Sequence, residues 1–304
     1  MPSAAPVSEG SVPFRGFRIW YRVVGGPAQP APARSPLLVL HGGPGTPHDY
    51  LEPLEGLADT GRPVVFYDQL GCGNSDQPHD PSLWSVELFL EELATVRQEL
   101  GLERVHLLGH SWGGMLAMEY ALTRPEGLAS LVLASSLASV PQWIAEANRL
   151  REELPQEAEE TLRRHEEAGT TDEPAYQEAM MVFYRRHVCR LDPWPEPLVR
   201  TFAKLDANPE VYHAMFGPSE FHATGTLRGW DIRDRLGEIR LPTLITSGRH
   251  DEATSAIAET VHRGIEGSEW VVFERSAHVA HLEEEDEYRR VAEDFMRRVE
   301  EGQI

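Results

Sequence analysis

The chain has 304 residues, 41% of them hydrophobic, which suffices for one large α/β domain or a domain carrying an inserted subdomain. Its 28 Lys and Arg against 49 Asp and Glu leave a net charge of −21, which argues against nucleic acid or an anionic membrane as partner. Only Cys72 and Cys189 are present, so there is neither a disulfide framework nor a C-x-x-C motif, and a reducing cytoplasm is the expected location. Met1 to Gly10 lacks the basic-then-apolar pattern of a secretory signal. No apolar run approaches the length of a membrane span, and no internal repeat is found.

In chain order, Phe17 to Val24 alternates with period two and predicts a half-buried strand. Ala28 to Pro36, rich in Pro and Ala, reads as a loop. Leu37 to Leu40, Val64 to Tyr67, Val105 to Leu108 and Leu128 to Ala134 are short apolar runs of the kind that buried parallel strands carry. Between them, helices are expected over His48 to Ala58, Val86 to Leu100 and Met115 to Thr123. Strands alternating with helices predict a parallel sheet with right-handed crossovers. Residues 141–225 are instead helical, charged and punctuated by tryptophan, with breaks at Pro155, Pro174, Pro193, Pro195 and Pro197. Strand texture resumes at Thr243 to Ser247 and Trp270 to Phe273, and a terminal helix is expected from about Asp286 to Val299. The acidic run Glu283 to Glu287 reads as its solvated start, since carboxylates suit helix N-termini. The expectation is an α/β core, residues 1–140 and 226–304, interrupted by a helical cap, residues 141–225. Such a cap shapes a pocket and excludes water.

Gly109, Ser111 and Gly113 have the G-x-S-x-G spacing, after a β-rich run and before a helix-forming one. That context suits a strand-to-helix turn that pushes one hydroxyl out at the top of a sheet. A serine needs a base and a group to orient that base, which follow in the order acid, then histidine, in this architecture. Asp251 follows the strand at Leu244 and is the expected orienting acid, with Glu252 as competitor. His278, in the loop after the last strand, is the expected base in preference to His281. The amides of Trp112 and of Gly43, in the loop His41-Gly42-Gly43-Pro44-Gly45, are the expected oxyanion donors. No metal or organic cofactor is required by this chemistry. Cys72 reads as packing, because no base–orienter pair accompanies it.

His41-Gly42-Gly43-Pro44-Gly45, Asp68-Gln69-Leu70-Gly71-Cys72-Gly73-Asn74-Ser75 and Gly109-His110-Ser111-Trp112-Gly113-Gly114 resemble the core signatures of proline iminopeptidases, serine exopeptidases of the α/β-hydrolase fold. Phe216 to Phe221 and Gly225 to Asp231 look most like the tricorn-interacting type of aminopeptidase. The resemblance implies release of an N-terminal residue, preferably proline, from short peptides, amides or arylamides. It also implies that Glu220 and Glu252 hold the substrate's free ammonium. His110 and Ser255 depart from residues common in relatives, and neither is expected to touch the chemistry. Phe183, Tyr184, Trp194 and Tyr212 are candidate walls for the first side chain, with plain packing the alternative for most of them. An amino-acid amidase or broad aminopeptidase on the same scaffold is the nearest rival. An esterase, in which both glutamates would be idle, and a non-catalytic binding protein are more distant ones.

Overall fold

The apolar runs form the centre of a single sheet. In the computed structural model of the chain, which describes residues 5–26 and 34–304, eight strands lie in the order β1-β2-β4-β3-β5-β6-β7-β8. They are β1 (Val7–Phe14), β2 (Phe17–Val24), β3 (Leu37–Leu40), β4 (Val64–Tyr67), β5 (Val105–His110), β6 (Leu128–Ala134), β7 (Thr243–Gly248) and β8 (Glu269–Phe273). β2 runs antiparallel to β1 and β4, and the other neighbours are parallel. The α/β class and the parallel sheet are therefore as expected. β1 was not foreseen; its Val7, Ser8 and Glu9 are exposed on an edge, so no buried pattern announces it. Most of the loop expected over residues 28–36 and the first residues of the Met1 to Gly10 segment lie outside the described residues.

Successive residues of each central strand serve opposite layers. Leu38 and Leu40 pack with helices α1 (Val86–Glu99) and α2 (Trp112–Leu122), whereas Leu37 and Val39 pack under the segment His48–Thr60 and the C-terminal helix. The helical segment expected from His48 is a run of 3₁₀ turns over His48–Thr60, and Pro53, which has no N–H, sits within it. α1 starts where Ser85 Oγ caps the Leu88 amide at 3.2 Å.

Between β6 and β7 the chain forms α3 (Val140–Arg151), α4 (Gln156–Ala168), α5 (Pro174–His187), α6 (Glu196–Ala207) and α7 (Glu210–Met215), with no strand of the sheet. The points where this segment leaves and returns lie side by side. The Val140 amide donates to the Trp230 carbonyl at 2.9 Å, and the Ile232 amide to that of Ala138 at 2.9 Å. After β7 come α8 (Ser255–Gly264), α9 (Ala280–Glu283) and α10 (Glu285–Glu300). The expected solvated start at Glu283 to Glu287 needs correction. Glu283 accepts from the Arg190 and Ala277 amides at 2.7 and 2.6 Å. Glu284 holds Ser276 Oγ at 2.7 Å. These two carboxylates brace loops, and only Asp286 and Glu287 are exposed. Among the described residues no helix is long and apolar enough to cross a membrane.

Candidate active site

The register aligns the strand ends that matter. Leu40 pairs with Gly109, His110 with Ala134, and Gly248 with Phe273. The loops after β3, β5, β7 and β8 consequently emerge at one edge of the sheet. At the end of β5, Ser111 takes φ 53° and ψ −120°, a strained conformation for a residue with a side chain. A Cβ on Gly109 would collide with the Gly113 carbonyl, and one on Gly113 with that of Leu40. The spacing is thus a packing requirement of the turn, and α2 begins immediately after the serine.

Across the cavity, His278 Nδ1 donates to Asp251 Oδ1 at 2.7 Å, over a sequence separation of 27. Asp251 is buried and also receives the Ala253 and Gly248 amides at 2.8 and 3.3 Å, which hold it in one orientation. Burial disfavours the charged imidazole, but the Asp251 carboxylate outweighs it and lifts His278 above its ordinary pKa. His281 is not equivalent. It is buried in α9, its Nε2 donates to the Tyr50 carbonyl at 3.1 Å, and burial pushes its pKa down to about 3. His278 Nε2 faces the cavity, 3.7 Å from Glu252 Oε1. Ser111 lines the same cavity, with no hydrogen bond from Oγ to His278 among the described residues. Such contacts commonly tighten only when substrate is bound.

The three glycine-rich motifs converge. The Gln69 amide donates to His41 Nε2 at 2.9 Å, and Trp112 Nε1 donates to Gln69 Oε1 at 2.9 Å. Asp68 ties its own loop together, accepting from the His48 and Asn74 amides at 2.9 and 2.8 Å. Cys72 is buried in that loop, with Sγ 3.2 Å from the Gln69 carbonyl, and burial raises its thiol pKa; this fits a packing role. Gly43 has φ +105°, a conformation that favours glycine. Among the described residues neither the Gly43 nor the Trp112 amide has a hydrogen-bond acceptor, so both remain available to an incoming oxygen.

The cavity has a volume of about 420 Å³ and is lined by Gly43, Ser111 and His278, by both glutamates, and by residues of α5 to α7. Glu220 Oε1 accepts from Tyr212 OH at 2.7 Å, and the Glu220 amide donates to Tyr184 OH at 3.3 Å. Glu252 is 1% exposed, and neither of its carboxylate oxygens has a hydrogen-bond partner among the described residues. Burial, then the charges of Glu220 and Asp251, push its pKa well above the carboxylate range. Burial also raises Glu220, less strongly because Tyr212 donates to it. Two carboxyl groups thus face one cavity, one of them without a hydrogen-bond partner, an arrangement chemically suited to N–H donors.

Some expectations need correction. Tyr184 and Tyr212 line the cavity, but Phe183 and Trp194 do not. Phe183 is packed against Phe221 and His187, and Trp194 against Phe202. The apolar wall instead includes Met180, Leu198, Phe202 and Leu205, residues that sequence reasoning passed over. His110, expected to stand clear of the chemistry, packs its ring 4.7 Å from that of His278 and lines the cavity. The main chain of His187 and Val188, at the end of α5, was also missed. It accepts from the Glu252 amide at 3.2 Å and from the His278 amide at 3.2 and 3.0 Å. No side-chain signal marks such a backbone clamp.

The sequence model of the alpha/beta hydrolase fold matches residues 35–285. The chain is 42% identical to the proline iminopeptidase of Saccharolobus solfataricus, over 96% of this chain and 93% of that one. It superimposes on the crystal structure of a proline iminopeptidase from Mycobacterium smegmatis with a TM-score of 0.90, at 42% identity, covering 98% of this chain and 100% of the other. The crystal structure of VinJ matches with a TM-score of 0.92, at 43% identity, covering 96% of this chain and 99% of that one. The serine turn, the neighbouring Asp–His pair and the glycine loop thus sit in a chain that, across nearly its whole length, belongs to the proline iminopeptidase family of the α/β-hydrolase fold.

Proposed function

We propose that this protein is a serine exopeptidase that releases an N-terminal residue, preferably proline, from short peptides, amides or arylamides. The observation that carries the reading is Glu252, a buried carboxyl group without hydrogen-bond partners beside Glu220, in the cavity that also holds Ser111 and His278. Residues 141–225 act as a cap whose helices α5 to α7 wall that cavity. A substrate enters amine first, and its ammonium donates to Glu220 and Glu252 with charge-assisted hydrogen bonds. The ammonium also keeps Glu252, whose Oε1 lies 3.7 Å from His278 Nε2 in the free enzyme, from competing for that nitrogen, which takes the Ser111 proton. Ser111 Oγ attacks the first carbonyl, and the oxyanion is met by the Gly43 and Trp112 amides. His278, oriented by Asp251, then protonates the leaving amine, and water hydrolyses the acyl-enzyme by the reverse sequence. A blocked amine would leave both carboxylates unpaired, which is the physical basis for exopeptidase selectivity. A cytoplasmic location belongs to the same reading, supported by two buried, unpaired thiols, Cys72 and Cys189.

The test is a panel of prolyl, alanyl and phenylalanyl arylamides and amides, each free and N-acetylated, with a p-nitrophenyl ester. Hydrolysis of the free prolyl compounds, lost on acetylation and in Ser111→Ala, is the expected result. Equal rates on free and acetylated substrates would remove the ammonium site. A preference for alanyl or phenylalanyl amides over prolyl arylamide would replace proline by a broader specificity.

A further inference from the structure

His110, the residue before Ser111, has no part in the steps above, yet both of its ring nitrogens are committed. Nε2 lies 2.9 Å from the His278 carbonyl, which can only accept, so Nε2 carries the hydrogen. Nδ1 is then an acceptor and receives the Tyr50 hydroxyl at 2.8 Å. The Tyr50 oxygen in turn accepts the Gly42 amide at 2.9 Å. Both ends of this chain are backbone groups of fixed polarity, so only one direction of donation is possible. The titratable groups facing the ring are Tyr50, His278 and His281, the last with its ring 5.1 Å away. Burial first, then the two histidines, hold His110 neutral, the form that the chain of bonds requires.

We propose that His110 is a positioning residue, linking the Gly42–Gly43 loop to the backbone of His278 so that the oxyanion donor and the base are held in one geometry. The proposal rests on the reading of Gly43 as oxyanion donor and His278 as base. Its effect falls on kcat, because the oxyanion exists only after attack, while ammonium binding through Glu220 and Glu252 is untouched. A glutamine amide offers one donor and one acceptor at nearly the spacing of the two ring nitrogens, and so can complete the same chain. Leucine can complete neither bond.

The experiment compares His110→Gln, His110→Leu, Tyr50→Phe and the Tyr50→Phe/His110→Leu double variant on a free prolyl arylamide, with active sites titrated by an organophosphonate. Misplacement by about 1 Å typically costs about 100-fold. His110→Leu is expected to lower kcat by about that factor with KM within about threefold, and His110→Gln to recover most of it. Tyr50→Phe should lower kcat about tenfold, and the double variant should be little worse than His110→Leu, as for members of one chain. Equal losses in the Gln and Leu variants overturn the proposal, as does wild-type kcat in folded His110→Leu. A loss confined to Tm or to the active-site titre also overturns it. If His110→Leu does not fold, Tyr50→Phe, which keeps the ring, decides by the same kcat criterion. Ser111→Ala is run alongside: residual turnover there sinks the nucleophile assignment, whereas an inactive Ser111→Ala with unaffected His110 variants sinks only the positioning role.

Discussion

Replacing Glu252 by Gln removes an ionisable carboxyl group that is 1% exposed and whose oxygens have no hydrogen-bond partner among the described residues. A buried polar group without partners costs about 1–3 kcal/mol, and more when charged. The neighbouring Glu220 and Asp251 raise the cost of ionising it further. Gln keeps the volume and drops the ionisation, so the variant should be more stable by about 1 kcal/mol at neutral pH, or about 2 °C in Tm for a chain of this size. The sign follows from linkage. Glu252 has a folded pKa above its unfolded value, so its contribution to stability is fully present below about pH 4.3 and is lost as pH rises. The advantage of Gln should therefore be absent at pH 4 and grow toward alkaline pH. Activity should move the other way. A hydrogen bond to a charged group is worth about 1.5–3 kcal/mol, which lowers kcat/KM on free-amine substrates by about 10- to 150-fold. Calorimetric scans across pH and kinetics on free and N-acetylated prolyl arylamides read both quantities. A Tm that does not rise above pH 6 would refute the account of an uncompensated buried carboxylate. Unchanged kcat/KM would refute the ammonium site.

Three further outcomes are expected. Gly113→Ala drives a methyl into the Leu40 carbonyl; it should cost at least about 1–3 kcal/mol and abolish organophosphonate titration, and a full active-site titre would contradict the account of the turn. Asp251→Asn removes the charge that holds His278 above its usual pKa, so the acid limb of kcat/KM should shift to lower pH as kcat falls by about 10⁴; an unmoved limb in the pH–rate profile argues against the pair. Glu300 is held down at about 2, because hydrogen bonds from His106 and Arg62 outweigh its burial. That is worth about 3 kcal/mol above pH 4.5, or about 2 after discounting for partial exposure, and is lost as pH falls toward 2. Glu300→Gln should thus unfold earlier than wild type in denaturant at pH 7 and converge with it near pH 2.

Much of the sheet was legible because its central strands are buried on both faces, and continuous apolar runs such as Leu37–Leu40 and Val64–Tyr67 have few other uses. β1 was not, since an exposed edge strand needs no such run. The cap aromatics divide by geometry: adjacent helical residues point about 100° apart, so Tyr184 reaches the cavity while Phe183 enters the core. Periodicity places both on α5 but cannot say which side meets the substrate.

Local sterics and chain order were enough to identify the turn at Ser111. Gly109 and Gly113 are required by backbone atoms within a few residues or on the adjacent strand, and the acid and histidine must follow strands that end at the same edge. The charge state of the cavity was decided only by the tertiary structure. Glu252 is left without a hydrogen-bond partner in a cavity that it shares with Glu220, and His110 bonds to a carbonyl 168 residues away along the chain. Burial and Coulomb energies depend on the separation of groups in space, which no order of residues along a chain specifies until the chain has folded.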